Sequence, residues 1–142
     1  MRRVLVQGAF DIIHIGHIRT LEFAKAQGDY LIVALNTNEL IASYKRREAV
    51  MSWDDKRDIL LALRCVDEVV PAPYFSPLLL LMDHHVDVYV VAQEWESSKA
   101  AEIAYMNRHG ARVVISPRFT TFSTTEIKAR LLAEHLKAKE AA

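Results

Sequence analysis

The chain has 142 residues and a formal net charge of zero, because 18 Lys plus Arg balance 18 Asp plus Glu. This balance argues against a nucleic-acid groove binder, which normally carries a basic excess. With 51% hydrophobic and 25% charged residues, the composition is typical of a globular protein, and the length predicts a single domain over residues 1–142.

Cysteine content and hydropathy predict the compartment. Cys65 is the one cysteine, so the sequence predicts no internal disulfide, no thiolate metal cluster and a reducing, cytoplasmic location. The longest apolar runs, such as Leu78 to Met82 and Val88 to Ala92, fall far short of the roughly 20 residues that a membrane-spanning helix needs. We therefore expect no membrane segment and no export signal.

The first third of the chain predicts two strands and one helix. Val4 to Val6 is an apolar run of strand type, and the apolar spacing after Gly8 predicts a helix that ends near Gly28. Tyr30 to Leu35 predicts the second strand. The segment Asn36 to Glu48 is predicted to be a loop.

The middle of the chain repeats this pattern. A serine cap predicts a helix from Ser52 to Arg64, and Val66 to Val70 predicts a third strand that Pro71 ends. A further helix is expected from Pro77 to His84, because proline suits the first turn of a helix.

The last third adds two more strands and two more helices. Val88 to Ala92 predicts the fourth strand, followed by a helix from Ser97 to Gly110. Arg112 to Ile115 predicts the fifth strand. The S-x-x-E capping box formed by Ser123 and Glu126 predicts a final helix to about Lys139.

A strand followed by a helix thus recurs five times, which indicates an α/β fold. We expect a Rossmann-like, doubly wound parallel sheet of five strands with helices on both faces. Ligands bind such sheets outside the carboxyl ends of the strands. The candidate loops are therefore Gln7 to His17, Asn36 to Glu48, Pro71 to Ser76, Gln93 to Ser98 and Ser116 to Thr125.

The segment Gly8 to His17 carries the sharpest signal. His14 and His17 lie three residues apart at a predicted helix start, where free N–H groups and the helix dipole favour an anion. Gly16 between them lets a ligand approach the backbone closely. These features predict a phosphate site, with a pair of surface histidines as the plain alternative. A metal pair is disfavoured because no third ligand stands at compact spacing.

Four motifs in order carry a resemblance to a known family. They are G-x-F-D-x-x-H-x-G-H at Gly8 to His17, Gly28 to Leu31, Arg64 to Pro71, and Arg118 followed by Ser123 to Lys128. Together they resemble the cytidylyltransferase family of the HxGH nucleotidyltransferase superfamily, and within it the members that use glycerol 3-phosphate.

The resemblance implies an enzyme that transfers CMP from CTP to a small phosphate- or phosphonate-bearing alcohol and releases pyrophosphate. It implies Mg²⁺ as cofactor, a homodimer, and glycerol 3-phosphate as the leading acceptor. Other acceptors stay open, among them a hydroxyalkyl phosphonate such as 2-hydroxyethylphosphonate, phosphoethanolamine and phosphocholine. So do an adenylyltransferase of the same superfamily and a nucleotide-binding module that does not catalyse.

The resemblance also implies roles for individual residues, without assigning metal ligands. The implied catalytic residues are His14, His17, Lys45 and Arg118. The implied nucleotide-binding residues are Gly8, Ala9, Phe10, Asp11, Gly16, Arg47, Gln93, Glu94, Trp95, Ser123 and Thr124. The implied acceptor-binding residues are Arg64, Asp67 and Phe75.

Each of these roles has a plainer alternative. The basic run around Lys45 can be a solvated face, Ser123 a simple N-cap, Trp95 a lid over the core and Arg64 a helix-end cation. The chain also departs from the family pattern. Gln93 replaces an acid, and Phe119, Thr121 and Phe122 stand where Thr, Gly and Ile are expected, which predicts a different path for that loop.

Overall fold

The computed structural model describes residues 1–119 and 123–141 and is built around one parallel sheet. The strands are β1 (Arg3–Gly8), β2 (Tyr30–Asn36), β3 (Glu68–Ala72), β4 (Val88–Ala92) and β5 (Arg112–Ser116). Their order is β3-β2-β1-β4-β5, with every neighbouring pair parallel. The strand order therefore reverses at β1, which opens a crevice between the two halves of the sheet.

Helices connect the strands. They are α1 (Ile15–Lys25), α2 (Asn38–Lys45), α3 (Trp53–Leu61), α4 (Leu78–Asp83), a 3₁₀ helix (Gln93–Lys99), α5 (Ala100–Arg108) and α6 (Thr124–Ala141). No helix in the described ranges is long and apolar enough to cross a membrane.

Both faces of the sheet are buried. Side chains alternate along β1, so Val4 packs with Leu21 of α1 and Leu60 of α3 on one face. Leu5 packs with Leu81 of α4 on the other face, in a cluster that α5 completes. Because both faces are covered, the strands are continuously apolar, as predicted, and the predicted doubly wound fold is confirmed.

Helix α2 corrects the prediction of a loop from Asn36 to Glu48. The Thr37 hydroxyl caps the helix by accepting a hydrogen bond from the Leu40 N–H at 3.2 Å. The helix is only eight residues long and buries Ile41 alone, so its apolar residues repeat over too few turns to show a helical period. As a consequence, Lys45 is the last residue of a helix rather than part of a loop.

Two of the other differences from the prediction have a clear structural cause. Pro71 lies within β3 instead of ending it, and proline is tolerated there because β3 is an edge strand. Ser97 and Ser98 do not cap a helix, since they lie within the 3₁₀ helix and α5 begins at Ala100. The Ser98 hydroxyl donates to the Trp95 carbonyl at 2.8 Å instead.

Three carboxylates close the amino edge of the sheet, where the strands begin. Asp29 accepts a hydrogen bond from the Arg2 N–H at 2.7 Å, and Asp87 accepts one from the Arg3 N–H at 2.8 Å. Asp67 accepts one from the Leu31 N–H at 2.8 Å. Each carboxylate thereby pairs a backbone donor at the start of a neighbouring strand.

Candidate active site

A cavity of about 400 Å³ lies at the carboxyl edge of the sheet. It is surrounded by the ends of β1, β4 and β5 and by the amino ends of α1 and α6. Most of the residues predicted from the sequence line it, namely Gly8, Ala9, Phe10, Asp11, His14, Gly16, His17, Lys45, Phe75, Glu94, Trp95, Arg118, Ser123 and Thr124.

The loop between β1 and α1 has a strained backbone. Phe10 and Ile12 have φ angles of 49° and 53°, a left-handed backbone conformation that residues other than glycine rarely adopt. The Phe10 ring turns back toward Gly8, where an added Cβ would lie 2.7 Å from Phe10 Cε2. The same ring packs 5.2 Å from the His17 ring. Gly8 is therefore needed for the packing that supports His17.

The two histidines are held by backbone N–H groups. Nδ1 of His14, the N-cap of α1, accepts a hydrogen bond from the Gly16 N–H at 3.0 Å. Nδ1 of His17 accepts one from the His14 N–H at 3.1 Å. A nitrogen that accepts from an N–H carries no proton, so each neutral ring holds its proton on Nε2. The capping role leaves both histidines with an Nε2–H donor.

The surroundings favour the neutral form of both rings. Burial lowers the pKa of His14. Burial, with the nearby charges of His14 and Lys45, lowers the pKa of His17 to about 4, although Asp11 opposes this shift. The ring centroids are only 4.0 Å apart, so two imidazolium ions would repel each other. The pair is suited to donate two hydrogen bonds to phosphate oxygens.

Asp11 joins three segments of the site. The residue is 4% exposed, and its side-chain oxygens accept hydrogen bonds from the Val50 N–H at 2.9 Å and the Met51 N–H at 3.0 Å. Its backbone carbonyl accepts a hydrogen bond from the Thr124 hydroxyl at 2.6 Å. Asp11 therefore fixes the β1–α1 loop to the segment before α3 and to the start of α6.

The charge of Asp11 is stabilised although the residue is buried. Burial raises its pKa, but the two backbone hydrogen bonds and the positive charges of Lys56 and Lys128 outweigh this effect, so the pKa is lowered. Lys128 Nζ lies 3.5 Å from Oδ2 of Asp11. Lys56 is fully buried, and its ammonium donates to the Ala9 carbonyl at 3.3 Å and to Asn38 Oδ1 at 3.0 Å.

Lys45 brings a cation to the histidines from the end of α2. Burial, together with the charges of Arg47 and Lys128, lowers the pKa of Lys45, and Asp11 opposes that shift. Its neighbour Arg46 has a left-handed φ of 54°, which ends the helix directly after Lys45. The structure thereby places one cation of the basic run at the cavity.

The amino end of α6 forms the opposite wall. The Ser123 hydroxyl accepts a hydrogen bond from the Glu126 N–H at 3.1 Å, which is the predicted capping interaction. Phe119 follows the cavity residue Arg118 and packs against Phe23 of α1 at 5.6 Å between ring centroids. Thr121 and Phe122, two of the departures from the family pattern, lie outside the described residues.

The cavity is also lined by residues that the sequence analysis did not single out: Gln7, Asn36, Tyr44 and Lys99. Gln7 and Asn36 end apolar strands, and a polar residue at such a position is a signal that the sequence did offer. Tyr44 and Lys99 gave none, because their place depends on α2 and on the 3₁₀ helix.

A family model described as cytidylyltransferase-like matches residues 5–130. The chain belongs to the cytidylyltransferase-like family. It is 36% identical over 132 residues to the glycerol-3-phosphate cytidylyltransferase of Bacillus subtilis (strain 168), an alignment that covers 92% of this chain and 98% of that protein. The prediction of a nucleotidyltransferase enzyme of the cytidylyltransferase family is therefore confirmed.

Other relatives of this cytidylyltransferase-like chain differ in the acceptor that their names give. It is 34% identical over 132 residues to the ethanolamine-phosphate cytidylyltransferase of Mus musculus, covering 92% of this chain and 32% of that protein. A lipopolysaccharide core biosynthesis protein from Thermoplasma volcanium GSS1 superimposes with a TM-score of 0.69 at 23% identity, covering 87% of this chain and 99% of that one. This last likeness shows the fold.

The structure corrects the placement of two predicted acceptor residues. Arg64 and Asp67 precede β3 and therefore lie at the amino edge of the sheet, opposite the cavity. The Asp67 carboxylate is bonded to the Leu31 N–H and to Lys25 Nζ. Burial opposes its ionisation, but these contacts outweigh it and lower the pKa of Asp67. The resemblance implied that both residues bind the acceptor, but the motif that contains them runs across the start of β3, and this places them at the amino end of that strand.

Two predicted nucleotide residues are exposed and lie outside the cavity lining. Arg47 follows the end of α2, and Gln93 begins the 3₁₀ helix, whereas its neighbours Glu94 and Trp95 reach the cavity. Helical geometry explains the difference, since successive residues of a helix point in different directions.

The carboxylates that line the cavity fit a metal ion that is bound mainly by the phosphates of a nucleotide. The described residues contain no group of three or more His, Cys, Asp or Glu placed to hold a metal ion. The lining carboxylates among them are Asp11, which backbone N–H groups already occupy, and Glu94. Mg²⁺ typically binds one or two carboxylates together with substrate phosphates, and this lining is compatible with that arrangement.

Proposed function

We propose that this chain transfers CMP from CTP to glycerol 3-phosphate and releases pyrophosphate. The observation that carries the proposal is the pair of neutral histidines at the start of α1, whose Nε2–H donors meet Lys45 and the amino end of α6 in one cavity. The relative from Bacillus subtilis, which aligns over nearly its whole length, supports glycerol 3-phosphate as the acceptor.

In the proposed reaction, an oxygen of the acceptor phosphate attacks the α-phosphorus of CTP in line. The new bond joins that oxygen to the α-phosphorus, the bond to the bridging oxygen of the β-phosphate breaks, and pyrophosphate leaves with the electron pair. Negative charge on the phosphoryl oxygens is met by the Nε2–H groups of His14 and His17 and by the cations Lys45 and Arg118. Catalysis then rests on positioning and on fixed donors rather than on a covalent enzyme intermediate.

The two halves of the sheet divide the substrates. Glu94, Arg118, Ser123 and Thr124 all follow β4 or β5, so the nucleotide occupies that half. The 3₁₀ helix also brings Trp95 and Lys99 to Phe75, at the boundary between the two halves. The half formed by β2 and β3 is left for the acceptor, with Phe75 at its wall. The histidines stand between the halves, where the reacting phosphates meet.

Mg²⁺, the homodimer and the cytoplasmic location belong to the same proposal. The triphosphate and Glu94 would hold the ion, which supplies charge neutralisation of the phosphates when bound. Sedimentation of the purified protein measures the oligomeric state, and removal of divalent cations with a chelator is expected to stop turnover.

The decisive experiment measures pyrophosphate release with Mg²⁺ from CTP, ATP, GTP and UTP, each with glycerol 3-phosphate, phosphoethanolamine, phosphocholine and 2-hydroxyethylphosphonate. We expect CTP with glycerol 3-phosphate to give the highest kcat/KM. Faster release from ATP would indicate an adenylyltransferase, and a preferred second acceptor would replace glycerol 3-phosphate. Nucleotide binding with no release from any pair would leave a non-catalytic module.

A further inference from the structure

We infer, building on the proposed function, that the acceptor half of the cavity selects a phosphate- or phosphonate-bearing acceptor whose head group is uncharged and carries a hydroxyl. Lys99, seated on the ring of Phe75, excludes cationic head groups, and the buried side-chain oxygen of Gln7 accepts a hydrogen bond from an acceptor hydroxyl. Glycerol 3-phosphate and hydroxyalkyl phosphonates belong to this class of acceptor, whereas phosphocholine and phosphoethanolamine do not.

Lys99 holds the place that a ligand cation would take. Its Nζ lies 3.7 Å from the centroid of the Phe75 ring and donates a hydrogen bond to the Phe75 carbonyl at 2.5 Å. The residue is only 6% exposed and lines the cavity. A second cation would meet the ammonium at close range in a poorly solvated site, where like charges repel strongly.

The positive charge of Lys99 has a buried counterpart. Glu102 of α5 is 5% exposed, and one of its oxygens accepts a hydrogen bond from the Ser76 hydroxyl. Burial lowers the pKa of Lys99, and the negative charge of Glu102 opposes that shift. The carboxylate thus helps to keep a cation at this wall.

The aromatic wall makes the position of Lys99 informative. Tyr44 and Trp95 meet Phe75 edge-on, with ring centroids 6.0 and 5.5 Å from it. Aromatic groups of this kind bind quaternary ammonium ions when their faces are free. Here the ammonium of Lys99 lies over the face of Phe75, so the place that a ligand cation would take is already occupied by the chain itself.

Gln7 provides the hydrogen-bond acceptor for the hydroxyl of the acceptor. Its Nε2 donates to Asn36 Oδ1 at 2.9 Å and to the Tyr74 carbonyl at 3.0 Å, which fixes the orientation of the amide. Its Oε1 is buried and has no hydrogen-bond partner among the described residues, although Gln7 lines the cavity. A buried acceptor without a donor is costly, and a hydroxyl of a bound acceptor would satisfy it.

The test compares acceptors across variants. For the wild type, Lys99→Met and Gln7→Leu, kcat/KM with CTP is measured for glycerol 3-phosphate, phosphoethanolamine and phosphocholine. Lys99→Met is expected to raise the use of phosphocholine relative to glycerol 3-phosphate by about tenfold or more. Gln7→Leu is expected to lower kcat/KM for glycerol 3-phosphate by about tenfold and to leave phosphocholine nearly unchanged. Lys137→Met, the same change at an exposed lysine of α6, serves as the control and should leave the ratio as in the wild type.

An unchanged acceptor ratio in folded Lys99→Met, or an equal loss for all acceptors in Gln7→Leu, would overturn the inference. If Lys99→Met does not fold, Lys99→Gln replaces it, because the amide keeps a donor for the Phe75 carbonyl while the positive charge is removed, and it should likewise raise the use of phosphoethanolamine and phosphocholine. If the wild type turns over no acceptor, the proposed function fails on its own. Calorimetric binding of the same three acceptors to wild type and variants then decides the selectivity separately.

Discussion

The two edges of the sheet use polar residues in opposite ways. At the amino edge, Asp29, Asp67 and Asp87 each accept a backbone N–H from the start of a strand. At the carboxyl edge, backbone groups engage one nitrogen of His14 and one of His17 and leave the other nitrogen available. One edge completes its hydrogen bonds within the chain, and the other keeps donors for a ligand. Structural polar groups on this sheet therefore have their hydrogen bonds satisfied within the chain, whereas functional ones keep a donor available for a ligand.

The largest expected effect is on kcat, and it should distinguish a histidine at the carboxyl edge from one at the amino edge. His17→Ala removes an Nε2–H donor from the phosphates and is expected to lower kcat for pyrophosphate release by a factor of about 10² or more, with a smaller change in KM. His109→Ala is the matched control at the amino edge, where His109 stacks on Tyr105 at 4.2 Å. Comparable losses of kcat in the two variants would contradict the division between the edges.

The second prediction concerns stability against pH. His17 has a pKa of about 4 in the folded chain and an ordinary value of 6.5, so between these values only the unfolded chain binds the proton. The stabilisation is complete above pH 6.5 and is lost as the pH falls toward 4, by up to about 3 kcal/mol. Urea unfolding across this range should show the loss in the wild type, and His17→Ala should remove much of it. Parallel pH profiles for the two proteins would rule out His17 as the source.

A pair of glycines separates stability from activity. Gly8→Ala puts a Cβ 2.7 Å from Phe10 Cε2, and Gly28→Ala puts one 2.6 Å from Val4 Cγ2 at the amino edge. Both changes are expected to cost about 1–3 kcal/mol of unfolding free energy, because each overpacks the core. At a temperature where both variants are folded, kcat should fall in Gly8→Ala alone, since Phe10 supports His17. Equal kcat values would show that this packing does not matter for turnover.

The smallest effect is expected for a carboxylate of the amino edge. Asp87→Ala removes the acceptor for the Arg3 N–H, an exposed hydrogen bond, and is expected to cost about 0.5–1.5 kcal/mol. Because the change lies at the edge opposite the cavity, kcat/KM should stay within about twofold of the wild type. Chemical denaturation and pyrophosphate release on the same preparation measure both quantities, and a larger loss of kcat/KM would link this edge to the site.

Site residues whose contacts are local in sequence could be predicted, whereas those whose contacts join distant segments could not. The spacing of His14 and His17 at a strand-to-helix turn was enough to predict an anion site, because the caps are formed within four residues. Arg64 and Asp67, which the resemblance implied as acceptor residues, lie at the amino edge instead, since the motif that contains them crosses the start of β3. Gln7 was not singled out, although a polar residue near the end of an apolar strand was a local signal. Lys99 was missed because its contact with Phe75 joins the 3₁₀ helix to the segment after β3, which no local pattern encodes.

The sequence by itself determined the alternation of strands and helices, the parallel sheet and the family, because apolar period, caps and motif order are local properties. The net charge of zero argued against a nucleic-acid groove binder but said nothing of where the cations lie. Only the tertiary structure decided that Lys45 reaches the cavity, that Arg47 does not, and that Lys99 covers Phe75. These placements depend on how distant segments meet across the sheet, and that is set by packing of the whole chain.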